Sequence, residues 1–208
     1  MIIRILIVAN VLVYIWEVAK GAMSTTMSLY THGALVPAAV LQDHEWWRII
    51  TSGFLHANLL HIGVNMLSLW LIGNFVETTL GSPKTLLIYG ISLVLSGVAV
   101  VYFSSPYVPT LGASGAIFGL FGSIFAVGLK HGRPGWEFIK ANLPILGLNL
   151  AFTFFAPGIS KAGHVGGLIA GFLATLLLYY PKRPVFAAVT DATTGEGLES
   201  VYEAPDAR

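Results

Sequence analysis

Ser114 stands in the run Gly112-Ala113-Ser114-Gly115-Ala116-Ile117-Phe118-Gly119, at the head of an apolar segment that ends at Lys130. A hydroxyl so placed has two readings. It is filler in a small-xxx-small face, where glycines four apart such as Gly115 and Gly119 let helix backbones approach closely in lipid, or it is a nucleophile. A second segment, Gly163-His164-Val165-Gly166-Gly167-Leu168-Ile169-Ala170-Gly171, puts an imidazole at the head of another apolar helix. Gly163, Gly167 and Gly171 recur every four residues, so one face of that helix is bare backbone. An ionisable side chain is costly in hydrocarbon and normally has a partner or a task. Two glycine-faced helices, one headed by serine and one by histidine, can bring Oγ within hydrogen-bond reach of a ring nitrogen, the arrangement of an activated nucleophile.

A third polar group lies in His56-Ala57-Asn58-Leu59-Leu60-His61-Ile62-Gly63-Val64-Asn65. His61 and Asn65 are four apart and share a helix face. Helix rise gives their depth. Ser114 precedes Lys130 by 16 residues, Asn65 precedes Leu80 by 15, and His164 precedes Lys182 by 18. At 1.5 Å per residue all three lie about 22 to 27 Å from one membrane surface, one level just inside the opposite edge of a hydrocarbon core of about 30 Å. Acyl transfer needs a nucleophile, a base and donors aimed at a developing oxyanion. Ser114, His164, and Asn65 with His61 and the free N–H groups at the start of the Ser114 helix can supply those parts. The acidic residues within the apolar spans are Glu17 and Glu77, neither placed to orient His164, so a dyad is implied.

The elements that must position these groups are membrane helices. Of the 208 residues, 55% are hydrophobic and only 10% charged, against about 25% charged in ordinary soluble domains. This is an all-α polytopic membrane protein. Without cysteines it has neither disulfides nor thiolate metal sites, and with a net charge of +1 and no basic cluster it has no nucleic-acid partner. Six spans are expected: Ile2 to Val18, His56 to Leu80, Thr85 to Phe103, Ser114 to Leu129, Ala141 to Phe155, and Ala162 to Tyr180. A cleaved signal peptide is the rival reading of the first, but Ala19 to Ala22 is a poor cleavage site. Lys20 to Leu55, with its Trp46-Trp47-Arg48, is expected to lie partly in the membrane interface, and Lys130 to Lys140 is expected to be a polar turn. Residues 1–183 form the bundle, and 184–208 an acidic tail expected to be mobile and dispensable for chemistry. With both termini cytoplasmic, the inner side carries seven Lys and Arg residues and the outer side three, as the positive-inside rule requires.

These motifs together resemble the rhomboid intramembrane serine proteases. The His56 to Asn65 segment, Gly112-Ala113-Ser114-Gly115 and Gly163-His164 through Gly171 match the family's motifs in order, on its helices two, four and six. Trp47-Arg48 matches its Trp-Arg pair in a membrane-lying first loop, and Glu77 the acid at the inner end of helix two. The resemblance implies a six-transmembrane-helix rhomboid-like bundle of the basic prokaryotic form, in a plasma membrane. It implies Ser114 and His164 as a catalytic dyad and His61 and Asn65 as oxyanion-side residues. Gly112, Gly115, Phe118, Gly163, Gly167, Trp47 and Arg48 would support them. The partners implied are transmembrane protein substrates, cleaved within or next to a membrane-spanning segment, and membrane lipid, with no cofactor. Substrate would pass laterally by helix five under the cap Ala156 to Lys161. One departure is visible: where many members have tyrosine four residues after the serine, this chain has Phe118.

Rival functions are weaker. A zinc site on His56, His61 and His164 lacks the His-Glu-x-x-His signature, and a spacing of five puts His56 and His61 on different faces; His56 is better read as bonding loop backbone. His32, His44 and His131 are expected to be solvated. A catalytically silent rhomboid-like binder of membrane helices typically lacks the serine or the histidine, and both are present. A transporter would need more ionisable groups in its spans and an internal repeat.

Overall fold

A computed structural model describes residues 1–181 of the chain; the expected tail, 184–208, lies outside the described residues. The described chain is helical, with six long helices: α1 (Ile2–Lys20), α5 (Leu59–Leu80), α6 (Ser82–Phe103), α7 (Ser114–Leu129), α8 (Gly132–Phe155) and α9 (Lys161–Leu178). Three short helices, α2 (Thr26–Thr31), α3 (Pro37–Gln42) and α4 (Arg48–Thr51), occupy the long first connection. Five of the long helices are long and apolar enough to cross a membrane, and α7 is an apolar helix of 16 residues. At 1.5 Å per residue α7 is about 24 Å long, against about 33 Å for the 22-residue α6.

The short helix is the centre of the bundle. Every residue of α7 from Gly115 to Gly128 is buried, packed on α5, α6, α8 and α9, while α1 lies against α5 and α6. A helix apolar all round belongs inside a bundle, and here glycine sets how near its neighbours come. A Cβ on Gly167 would lie 1.9 Å from the Gly115 carbonyl oxygen, and one on Gly171 the same distance from that of Gly119. On α7, a Cβ on Gly122 would lie 2.2 Å from the Leu168 carbonyl oxygen. These are backbone atoms and cannot step aside. On its other side α7 meets α6, where Ser96 and Ser92 fill the space over Gly115 and Gly119.

The first connection is a docked structure. Arg48 is buried and donates from Nε to Glu45 (2.6 Å) and from Nη1 to the carbonyls of Tyr30 (2.6 Å) and Ala34 (3.0 Å), with its guanidinium 4.2 and 4.5 Å from the Tyr30 and Trp47 ring centroids. The buried Glu17 carboxylate of α1 accepts the His56 backbone N–H at 2.9 Å. His56 Nδ1 bonds the Phe54 carbonyl at 3.2 Å, as read from the sequence, and burial beside the His61 ring pushes its pKa down to about 4. An antiparallel bridge between Leu35 and Thr110, and the Gly112 N–H to Ser52 carbonyl bond at 2.8 Å, tie this connection to the segment leading into α7.

Several boundaries differ from expectation. Residues 132–140 are the first turns of α8, where a polar turn was expected. Pro134 falls in the first helical turn, which has no N–H to lose, and Gly135 lets α8 cross closely over the Gly128 carbonyl. Likewise α6 starts at Ser82, with Pro83 in its first turn. α5 starts at Leu59 because Asn58 accepts the His61 N–H at 2.8 Å as its N-cap. His131 and His32 are not simply solvated: His131 Nε2 bonds the Tyr179 hydroxyl at 2.8 Å, and His32 Nδ1 the Ser28 carbonyl at 2.8 Å.

Two glycine substitutions separate packing from propensity. Gly171→Ala pushes a methyl into the Gly119 backbone and is expected to destabilise the fold by about 1 to 3 kcal/mol. Gly147→Ala, in α8 with open space around its Cα, is expected to leave the fold unchanged or stabilise it by about 0.5 to 1 kcal/mol. Thermal unfolding midpoints in detergent check both, and equal midpoints for the two variants would contradict the close approach.

Candidate active site

Ser114 is the first residue of α7, and the residue before it, Ala113, supplies no side-chain cap. The first N–H groups of α7 therefore have no side-chain acceptor at the cap, and Ser114 and Gly115 line a cavity. His164 lies in the first turn of α9, whose start is capped by Ser160 Oγ accepting the Gly163 N–H at 3.2 Å. The glycine register places these two turns side by side. His164 Nε2 and Ser114 Oγ are 2.8 Å apart.

The imidazole is held on its other sides as well. Phe118, one turn into α7 from Ser114, stacks on it with centroids 4.1 Å apart and planes 18° from parallel. Thr153 Oγ1 of α8 lies 2.8 Å from Nδ1. The sequence offers no carboxylate for that nitrogen, and its partner is a hydroxyl instead. The available signal was slight, a threonine four residues after Asn149 in an apolar helix end, and spacing within α8 does not reveal which residue of α9 it meets.

His61 and Asn65 project from the first two turns of α5 into the same cavity, about 1070 Å³ in volume, that Ser114, His164 and Gly115 line. A methyl group on Gly112 would lie 2.8 Å from the His61 ring and 3.7 Å from Ser114 Oγ, so the ring and the hydroxyl adjoin the same glycine. Gly112 has φ of +121°, a second reason for glycine there. Asn65 Nδ2 donates to the His61 carbonyl at 2.8 Å, one of the two hydrogens an amide nitrogen carries. The cavity reaches the flank of the bundle, since its lining includes the exposed Leu60 and Val64 of α5 and Leu148 and Phe152 of α8.

The structure thus brings together Ser114, His164, His61, Asn65, Gly112, Gly115, Phe118 and Gly163. Gly167 lies a turn further along α9, against Gly115. Trp47 and Arg48 belong to the docked first connection, Arg48 in its interior and Trp47 half exposed on its surface. Glu77, at the far end of α5, accepts the Met1 amino group and the N–H groups of Ile2 (2.6 Å) and Ile3 (3.1 Å), joining α5 to the start of α1.

A bundle of apolar helices around a buried central helix, with a bonded serine–histidine pair in a cavity at one end, defines a multi-pass helical membrane protein. Residues 43–181 match the model of the Rhomboid domain. Over 181 residues the chain is 37% identical to the rhomboid protease GluP of Bacillus subtilis, covering 86% of this chain and 35% of that protein. It is 36% identical over 142 residues to the putative rhomboid protease YdcA of the same organism, covering 67% of this chain and 70% of the relative. With the rhomboid protease GlpG of Salmonella choleraesuis it shares 32% identity over 171 residues, covering 80% of this chain and 59% of that protein. The chain belongs to the rhomboid family. It spans about a third of the length of GluP.

The position of Phe118 gives a test of the site's packing. Phe118→Tyr keeps the stacked ring and is expected to unfold within a few degrees of the parent, whereas Phe118→Ala empties a buried site and should lose about 3 to 5 kcal/mol. Thermal unfolding in detergent measures both. A tyrosine variant that fails to fold would show a pocket shaped around the bare ring.

Proposed function

We propose that this chain is an intramembrane serine endopeptidase that cleaves transmembrane proteins within or next to a membrane-spanning segment. The observation that carries the reading is the 2.8 Å bond between Ser114 Oγ and His164 Nε2 inside a cavity open to the flank of a membrane bundle. The names of the relatives support it: GluP and GlpG are rhomboid proteases and YdcA a putative one.

In this reading Ser114 Oγ attacks the scissile carbonyl carbon as Nε2 of His164 takes the hydroxyl proton, and the oxyanion forms at the start of α7. The N–H groups of that helix start, the second Asn65 amide hydrogen and the His61 ring are the donors available to it. His164 then passes the proton to the leaving amine, and an acyl group remains on Ser114. Water, deprotonated by the same nitrogen, releases that acyl group and restores the serine. A substrate helix reaches the cavity from the side, between α5 and α8, and its small residues allow it to unwind there. The excess of Lys and Arg on one side supports cytoplasmic termini, and the compact six-helix form with its bacterial relatives supports a prokaryotic plasma membrane.

Cleavage of a single-span membrane substrate by the chain in liposomes tests the reading. Wild type is expected to cleave and to be labelled on Ser114 by a fluorophosphonate, and Ser114→Ala and His164→Ala to do neither. Asn65→Ala should be milder, losing about 3 to 4 kcal/mol of transition-state stabilisation at most. Equal inactivity of folded wild type and both variants on several substrates, without labelling, would favour a silent binder of membrane helices.

The dependence on pH has a definite sign. A protonated imidazole has no lone pair at Nε2, so the rate should fall as the medium becomes acidic and be recovered toward neutral pH. The pH–rate profile of the liposome assay measures this. A rate unchanged from neutral pH down to about pH 4 would remove His164 as the base.

A further inference from the structure

We propose that Thr153 is the positioning residue of His164, an uncharged third member that fixes which imidazole nitrogen carries the proton. This rests on the assignment of Ser114 and His164 as the reacting pair. Thr153 is 1% exposed, and its Oγ1 stands 2.8 Å from two groups, the Asn149 carbonyl oxygen and His164 Nδ1. A hydroxyl has one proton. The carbonyl can only accept, so the proton lies toward Asn149 and the hydroxyl oxygen is left to accept. Nδ1 must then carry the hydrogen it donates to Thr153. A neutral imidazole has one N–H, so Nε2 holds a lone pair and accepts from Ser114, 2.8 Å away. Every donor in the chain from Ser114 through His164 and Thr153 to Asn149 points one way. That is the direction in which the serine proton must move.

The same bond seats α8. The buried residues of that helix are Gly135, Ile139 and Thr153. The first two lie at its start, against Gly128 of α7; Thr153 is the buried residue at the site end. Withdrawal of that end from the bundle leaves Nδ1 without its acceptor and frees the imidazole to change tautomer. Readiness of the base is thereby linked to the position of α8.

The test compares wild type with Thr153→Val, Thr153→Ser and Ser114→Ala in liposomes, measuring kcat and KM on a single-span substrate and the rate of fluorophosphonate labelling. Thr153→Val keeps the shape and removes the acceptor. It is expected to lower kcat and the labelling rate by roughly ten- to a hundredfold, with KM within about twofold of wild type. Thr153→Ser restores the acceptor and should recover most of both rates. If the valine variant does not fold, Thr153→Cys takes its place, since a sulfur of similar size accepts weakly, with the same loss expected. An unchanged kcat in the valine or cysteine variant, a change confined to KM, or a serine variant as slow as the valine one each overturns the proposal. Active wild type with inactive Ser114→Ala shows that the dyad stands even if Thr153 falls; cleavage by Ser114→Ala overturns both.

Discussion

The contact between backbones at α7 and α9 is the constraint on which the rest of the structure depends. Without side chains at Gly115, Gly119, Gly167 and Gly171, two helices approach until carbonyl oxygens lie where a Cβ would be. In lipid such contact supplies packing energy that the hydrophobic effect does not, because hydrocarbon tails are as apolar as leucine. It also sets the register. Ser114 stands beside Gly115 and His164 beside Gly163, so the interlock that holds the two helices also places a hydroxyl and an imidazole at hydrogen-bond distance.

A register fixes position along the helices but not the level at which α7 begins. That is set by the docked first connection. Arg48 gathers two backbone carbonyls and a carboxylate in a buried cluster, and Ser52 and Leu35 then bind the chain at Gly112 and Thr110. Glu17 anchors the other end of the same connection at His56, three residues before α5 begins. Removing one partner of a buried charge leaves the other unpaired at a cost of about 3 to 5 kcal/mol. The polar residues outside the cavity therefore act as ties that hold the starts of α5 and α7 facing each other.

How much of this was legible in the sequence follows from the range of each interaction. The spans, the glycine faces and the pairing of Ser114 with His164 were legible because they are written in local period and composition, and the family resemblance carried the same residues. Membership of the family is now shown by the match of residues 43–181. The ties were harder. Arg48 meets the carbonyls of Tyr30 and Ala34, 18 and 14 residues away, and a backbone acceptor leaves no mark on residue type. The start of α8 reads as a turn because Gly132 and Pro134 are turn residues by composition, whereas within a first turn neither one breaks a helix. Thr153 leaves no local mark for a different reason: which group it meets depends on the turn of α9 it faces, and that is decided by tertiary packing.

α8 is the helix least committed to the bundle, and physical chemistry says what holds it. Most of its side chains face outward, and in hydrocarbon an outward leucine gains little by turning inward. Its start is locked by the glycine crossing with α7, where Gly135 and Gly128 meet backbone to backbone. Its site end has no such crossing, and there the hydrogen bond between Thr153 Oγ1 and His164 Nδ1, with the Lys161 ammonium over the Phe154 ring, joins it to α9. His164 and Thr153 are both buried, and breaking that bond leaves Nδ1 without its partner, a penalty of about 1 to 3 kcal/mol. That is large enough to keep the end of α8 seated most of the time and, in the proposed reading, small enough for a substrate helix to offset by its own packing. In the proposed reading the cavity admits a helix and still holds a base in one tautomer, and the weakest seam of the bundle lies at the bond proposed to orient that base.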